Sequence, residues 1–192
     1  MSLINIIKQR YSCRKFLPLT VEEEKILQCI ESARLAPSAC NAQPWKFVIV
    51  NDINLKEQLV ESATAGIYKF SKKVLSQAPV IVVVVADVGS FLSKVGSLIR
   101  DTRFYLIDIG IACEHLVLQA TELGLGSCYI GWFSENGVKK ILGIPKKYKV
   151  PLLICLGYPD SSYKEKDVIR QYAKSDFRKD LKEIVCFNKF MF

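Results

Sequence analysis

Two short segments of this 192-residue chain carry side chains suited to gripping an anionic, planar ligand. The first, Arg10-Tyr11-Ser12-Cys13-Arg14, sets two permanent cations and a hydroxyl close together, with no carboxylate among the first 20 residues. A guanidinium fork matches phosphate oxygens through two parallel N–H bonds, and a serine hydroxyl adds a neutral donor. Arginines at the end of a helix also answer its macrodipole, so the pattern has a structural reading as well. The second segment is Pro37-Ser38-Ala39-Cys40-Asn41-Ala42-Gln43-Pro44-Trp45. Its prolines stiffen the backbone, while Ser38, Asn41 and Gln43 can donate and accept hydrogen bonds toward the edge of a flat heterocycle. An ordinary helix-to-strand turn would spend the same side chains on local backbone groups.

Other chemistries are poorly supplied. The single histidine, His115, sits in an apolar helical stretch and reads as a packing or interface residue. The seven cysteines include no CxxC pair, and with one histidine a zinc site is not expected. Their odd number and the absence of a secretory pattern at the N-terminus point to a reduced, cytoplasmic protein. Cys40 lies within the polar loop and could be redox-active; small-hydrophobe packing is the alternative. The net charge is +8. Two acid-free stretches more than account for it: Lys8, Arg10, Arg14 and Lys15 near the start, and five lysines between 139 and 149. The second stretch reads as a solvated helix end. No long basic stripe with interleaved aromatics is present, so nucleic acid is not an expected partner. The longest apolar run, residues 79–86, is too short to span a bilayer, and no membrane association is expected.

Taken together, the two segments resemble the nitroreductase family of FMN-dependent oxidoreductases. The resemblance rests on Arg10-Tyr11-Ser12-x-Arg14-Lys15-Phe16 and on Ala33-Arg34-x-Ala36-Pro37-Ser38-x-x-Asn41-x-Gln43-Pro44-Trp45-x-Phe47. It continues through Asp108-Ile109-Gly110-Ile111-Ala112, Leu123-Gly124-Leu125-Gly126-Ser127-Cys128-x-Ile130-Gly131 and Leu156-Gly157-Tyr158-Pro159, so it covers roughly residues 1 to 160. It implies a homodimer with FMN at the subunit interface, NAD(P)H as electron donor and a small electron-poor molecule, of nitroaromatic or quinone type, as acceptor. By matched position, Arg10 and Ser12 would hold the flavin phosphate with Tyr11 beside them. Arg14 would stand near the flavin N1–O2 edge, where a cation favours the reduced anion. Pro37, Ser38, Ala39 and Asn41 would line the ring plane. Ile130 and Gly131 would lie at flavin N5, with the glycine N–H directed toward it. Lys166 and Arg170, with Lys164 as a third candidate, would complete the phosphate site. Ser71 stands where the family commonly has an asparagine. Trp132 and Phe133 could shield the substrate side or simply pack. No titrating catalytic side chain is expected, since the cofactor carries the chemistry. The same fold also hosts dehalogenation and oxidation of flavin or heterocycles, and a non-enzymatic flavin-binding module is the remaining alternative.

The elements that must position these residues can be read from periodicity. Leu3 to Arg10 predicts a short helix. Thr20 and Glu23 have capping-box spacing, and Ile26, Ile30 and Ala33, widened by Leu27, predict a helix ended by Pro37. Residues 45–50, 80–85, 127–130 and 152–156 predict strands, the second covered on both faces. Residues 53–64 predict a helix, and 66–77 fit no single pattern. From Phe104 to Leu123 the chain predicts a long helix, apolar on nearly every side and buried in the core or in an interface, closed by Gly124 and Gly126. The expected class is α+β, a central mixed or antiparallel sheet flanked by helices, in one domain over 1–192. Residues 160–192 are expected as an extension packing on the partner subunit.

Overall fold

The computed structural model describes residues 2–89, 102–160, 162–163, 168–172, 174–175 and 177–190. Residues up to Asp160 form one compact unit and those from Ser161 onward a second. The first unit is built on four strands: β1 (Trp45–Val50), β2 (Val80–Asp87), β3 (Gly126–Ile130) and β4 (Tyr148–Gly157). They pair antiparallel in the order β1-β2-β4-β3, which leaves β1 and β3 as the two edges. β2 is almost unbroken valine because helices cover both faces of the sheet. Ile81, Val83 and Val85 belong to one core, against α3 (Ile53–Ala63), α4 (Lys72–Gln77) and α6 (Glu135–Leu142). Val80, Val82, Val84 and Ala86 belong to the other, against α2 (Glu23–Arg34) and α5 (Phe104–Glu122). The α+β class and its antiparallel sheet thus match the expectation from periodicity.

Several local expectations are corrected. α2 begins at Glu23 with Glu22 as its N-cap, and no side chain caps it. The Thr20–Glu23 capping box does not form, because the helix starts too late for Thr20 to be its N-cap; the Glu22 carboxylate accepts from Tyr158 Oη at 2.6 Å and from Lys25 Nζ at 3.3 Å. Tyr158 also pulls the Glu22 carboxyl below its usual range, and the three acids opening the helix answer its dipole. Leu27 does not widen the buried face; it is exposed, and Ile26, Cys29 and Ala33 form the buried stripe. The ambiguous stretch is a 3-10 turn over Gly66–Ser71 running into α4. Gly124, at φ 77°, ends α5. Gly126 does not close that helix; it opens β3, where an added Cβ would come within 2.8 Å of Cys13 Cβ and Sγ.

α5 is buried on one side only. Asp108, Ile109, Ala112, Cys113, Leu116, Val117 and Ala120 face the core, while Leu106, Ile107 and Ile111 are exposed. Length and composition would let this helix cross a membrane, but its inner stripe is packed on the sheet. In the second unit, a helix α7 (Val168–Tyr172) carries exposed Tyr172, a 3-10 turn (Leu181–Glu183) carries exposed Leu181, and Phe187 and Phe190 are exposed beyond that turn.

Candidate functional site

The helix α1 (Leu3–Gln9) ends at Arg10, whose backbone turns extended at ψ 129°. The chain then runs along the outer edge of β3. Ser12 forms a parallel bridge with Ser127, and Cys13 N–H donates to Ser127 O at 2.8 Å. Farther on, Phe16 bridges Pro159, Leu17 N–H donates to Tyr158 O, and Lys15 pairs with Asp160 at 3.1 Å. The close seam between Cys13 and Gly126 lets this segment seat without a bulge. Arg10, Tyr11, Ser12 and Arg14 are all half-buried along that edge. The charge of Arg10 is felt at Tyr129, whose hydroxyl donates to Glu114 Oε2 at 3.3 Å. Burial, then the Glu114 carboxylate, pushes the Tyr129 phenol well up, so it remains a proton donor.

Ile130 ends β3 and is buried; Gly131 follows it into an exposed turn. This glycine is not explained by the chain itself. Its φ is not left-handed, and an added Cβ would meet no atom within 4 Å. By contrast a Cβ added at Gly137 would collide with the Ser62 carbonyl, and one added at Gly157 would come within 2.5 Å of the Pro79 ring. The space before Gly131 therefore stands open beside a strand end, where a planar ligand could approach the backbone. Trp132 is exposed and Phe133 buried. The turn is tied to the 3-10 segment: Ser71 Oγ donates to Trp132 O at 2.6 Å, and Trp132 Nε1 donates to Ile67 O at 3.1 Å.

The polar loop reaches its shape through strain. Cys40, Asn41 and Gln43 all have left-handed φ, between 43° and 53°. Such backbone costs roughly 1 kcal/mol or more per residue that is not glycine, and it persists only where the surroundings over-determine it. Here Gln43 N–H donates to Ser38 Oγ at 3.0 Å and Gln43 Nε2 to Asn41 Oδ1 at 3.0 Å. From below, the buried Asp108 of α5 accepts the Ala39 N–H at 2.9 Å. Ser38 and Asn41 thus do satisfy loop groups, as an ordinary turn would require. The Ser38 hydroxyl still has its own proton to donate. Pro37 and Asn41 are exposed, and Ser38 and Ala39 half-buried.

The fold sets Arg10, Tyr11, Ser12 and Arg14 along the outer edge of β3 and puts Ile130 and Gly131 at the far end of the same strand, past the Ser12–Ser127 bridge. It does not bring the loop to them. Pro37, Ser38, Ala39 and Asn41 precede β1, at the opposite edge, three strand spacings or about 14 Å across the sheet. Lys164 and Lys166 lie outside the described residues; Arg170 falls in α7 and its side chain lies outside them as well. Of the other singled-out residues, His115 is partly buried with Nδ1 3.2 Å from Ser32 O, a packing role. Cys40 is exposed, and all seven cysteines are free. Burial pushes the thiols of Cys29 and Cys113 up to about 12, which leaves them inert. Among the lysines at 139–149, Lys139 is not solvated surface: its ammonium pairs with Glu135 at 2.6 Å and is largely buried. Sequence reasoning missed Asp108 as a support of the loop, although a carboxyl on the otherwise apolar inner stripe of α5 was a signal. It marked Ser71 only as standing where the family commonly has an asparagine, and its bond to the Trp132 carbonyl was not foreseen.

Comparison with known proteins supplies the family. The nitroreductase family pattern matches residues 7–158. A protein of Archaeoglobus fulgidus that bears the provisional name NADH dehydrogenase/NAD(P)H nitroreductase is 31% identical over 81% of this chain and 84% of its own. The iodotyrosine deiodinase of Thermotoga neapolitana is 27% identical over 88% of this chain and 97% of its own. The solved structure of an FMN-dependent nitroreductase from Clostridium difficile aligns with a TM-score of 0.71 at 29% identity, covering 97% of this chain and 99% of that one. Since the matched residues include the Arg10–Arg14 segment, the strained loop, the sheet and the turn at Gly131, the chain belongs to the nitroreductase family and is an oxidoreductase.

Proposed function

We propose that the chain binds FMN and passes electrons from NAD(P)H to a small electron-poor acceptor such as a nitroaromatic or a quinone. The observation that carries this reading is Gly131, a glycine that neither backbone strain nor packing among the described residues requires, standing open at the end of β3, the strand along whose edge the Arg10–Arg14 segment runs. The donor set fits the group: guanidinium and hydroxyl for a phosphate, a cation farther along the same edge, and an unobstructed backbone amide. When bound, FMN supplies hydride acceptance and release. The protein's part is to bind, orient and tune. In this reading Arg10 and Ser12 grip the phosphate with Tyr11 alongside, and Lys166 and Arg170 are its further cations. Arg14 supplies positive charge at the pyrimidine edge, Ile130 packs under the turn, and Gly131 offers its N–H.

Pro37, Ser38, Ala39 and Asn41 line the ring plane in this proposal, which requires a second copy of the chain. The distance between the two sheet edges supports that arrangement. So does the outer face of α5, where exposed Leu106, Ile107 and Ile111 flank Gly110. A glycine inside a helix costs about 1 kcal/mol relative to alanine, and among the described residues nothing beyond the helix's own backbone lies within 4 Å of where its Cβ would be. Close approach by a partner helix gives it a reason. The seven free thiols support a reducing, cytoplasmic setting.

A second reading is supported by the Thermotoga relative: the same site would deliver electrons to a carbon–halogen bond of an aromatic substrate. The test is direct. The purified protein should take up FMN, and the bound flavin should bleach anaerobically on addition of NADH or NADPH and recolour with a nitroaromatic. A chain that fails to take up FMN refutes the proposal. Bound FMN that neither nicotinamide reduces favours the second reading.

A further inference from the structure

We propose that Ser71 is a positioning residue, which works through Trp132 to fix the direction of the Gly131 backbone amide. The inference deepens the flavin reading above and rests on it for the amide's purpose; the clasp itself stands on the chain's own geometry. Ser71 closes the 3-10 turn and is 6% exposed. Its hydroxyl donates to the Trp132 carbonyl at 2.6 Å, across 61 residues of sequence. The Trp132 indole N–H returns the link by donating to Ile67 O at 3.1 Å, and the Tyr68 and Trp132 rings meet with centroids 5.6 Å apart. Behind them Ser134 N–H donates to Ala63 O at 2.7 Å, and Phe133 is buried in the core.

The turn after β3 is therefore held from both sides except at Gly131. Glycine brings no side chain to pack and the widest choice of φ and ψ, so nothing intrinsic to it sets where its N–H points. The Gly131 N–H lies in the peptide it shares with Ile130 at the end of β3, and the Trp132–Phe133 peptide, two planes on, fixes the far end of the span. With the Trp132 carbonyl locked onto Ser71 and its ring locked onto the 3-10 turn, the backbone entering from Ile130 has one way to span the gap. A buried serine can do this because its hydroxyl is short and close to the backbone. A longer amide side chain at 71 would overshoot that carbonyl.

An N–H directed at a ring nitrogen of an oxidised flavin stabilises the oxidised form, because that nitrogen accepts only until it takes up its own hydrogen on reduction. Loss of the clasp should weaken this donation and raise the flavin's midpoint potential. A neutral hydrogen bond corresponds to about a fivefold shift in the oxidised-to-reduced ratio, or about 20 mV for a two-electron couple. The experiment compares the full chain with Ser71→Ala, Ser71→Thr and Trp132→Phe. In flavin-free protein, Trp132 indole N–H exchange, followed by NMR and distinct from that of buried Trp45, should quicken about tenfold in Ser71→Ala and stay slow in Ser71→Thr. In flavin-loaded protein, Ser71→Ala and Trp132→Phe should raise the potential, and Ser71→Thr should restore it. A loss of packing alone would lower thermal stability and leave the potential unmoved. Trp132 is largely exposed, so Trp132→Phe keeps the test open if Ser71→Ala does not fold. Unchanged indole exchange, or an unchanged potential in both disrupting variants, overturns the proposal. If even the parent chain takes up no FMN, the flavin reading fails while the exchange measurement still decides the clasp.

Discussion

Asp108→Ala should loosen the strained loop while leaving the rest of the fold nearly untouched. The Ala39 N–H donates to Asp108 Oδ1 at 2.9 Å and so ties the loop to α5. Its loss removes about 2 kcal/mol of local restraint. The three left-handed residues of the loop store a comparable sum, about 3 kcal/mol at roughly 1 kcal/mol each. Strain and restraint are therefore close to balance, and losing the bond lets Cys40, Asn41 and Gln43 relax. Globally the change is offset, because burying a carboxyl group costs several kcal/mol that alanine avoids. The thermal midpoint should then move by less than about 4 °C, at 2–4 °C per kcal/mol for a chain of this size. Hydrogen exchange at the Ala39 amide should quicken roughly 30-fold, the factor equivalent to about 2 kcal/mol. FMN affinity, read by quenching of flavin fluorescence, should weaken about tenfold, a 1.4 kcal/mol share of the lost restraint. Asp108→Asn keeps an acceptor oxygen and should fall between. An Ala39 amide that exchanges at the parental rate in Asp108→Ala would refute the reasoning.

Three further outcomes follow from individual contacts. Gly126→Ala drives a Cβ to within 2.8 Å of Cys13 and should cost about 1–3 kcal/mol by overpacking, seen calorimetrically as a fall of several degrees; Cys13→Ala should recover part of it. Gly110→Ala meets nothing among the described residues beyond its own helix backbone, so it should stabilise the single chain by up to about 1 kcal/mol in denaturant and, in the proposed dimer, weaken self-association in the ultracentrifuge. Burial raises the Glu135 carboxyl, but the Lys139 ammonium and the Val150 N–H outweigh it and leave the group below its usual 4.5. A depressed carboxyl contributes stability above that value and loses it as pH falls through the lower folded value. Glu135→Gln should therefore flatten the acid limb of the stability curve below pH 4.5 and shift the plateau above it.

What was legible in the sequence was whatever is set by residues close together in the chain. The valines of β2 announced a doubly covered strand because each face needed its own helix layer. Pro37 and Gly124 stopped helices for backbone reasons that need no tertiary partner. The Thr20–Glu23 spacing failed because the helix starts later than that pattern requires, with Glu22 as its N-cap and Thr20 outside it. Leu27 failed because helical periodicity gives the angle of a residue, but the width of the covering layer decides whether that angle is buried. Ser71 was marked only as a departure from the family's asparagine, since one serine carries no positioning pattern until the Trp132 carbonyl is seen beside it.

The candidate site shows the same division more sharply. Both chemical segments could be recognised by residue type, yet their relative placement could not be read from spacing, because it depends on strand order. The observed order β1-β2-β4-β3 puts the strand that follows the loop and the strand that carries the Arg10–Arg14 segment at opposite edges, so that in the proposed dimer each copy would offer half of two sites. In the proposed dimer this makes binding and assembly one equilibrium: a ligand that touches both halves favours the paired state by the free energy of the contacts it makes to the second copy. FMN should therefore tighten self-association, and the loop variant Asp108→Ala should lose that tightening even though Asp108 lies on the inner, buried stripe of α5 rather than on its exposed face. Sedimentation of the parent and of Asp108→Ala, each with and without FMN, measures the coupling. Equal tightening in the two would place the loop outside the shared site and return the ring contacts to a single chain.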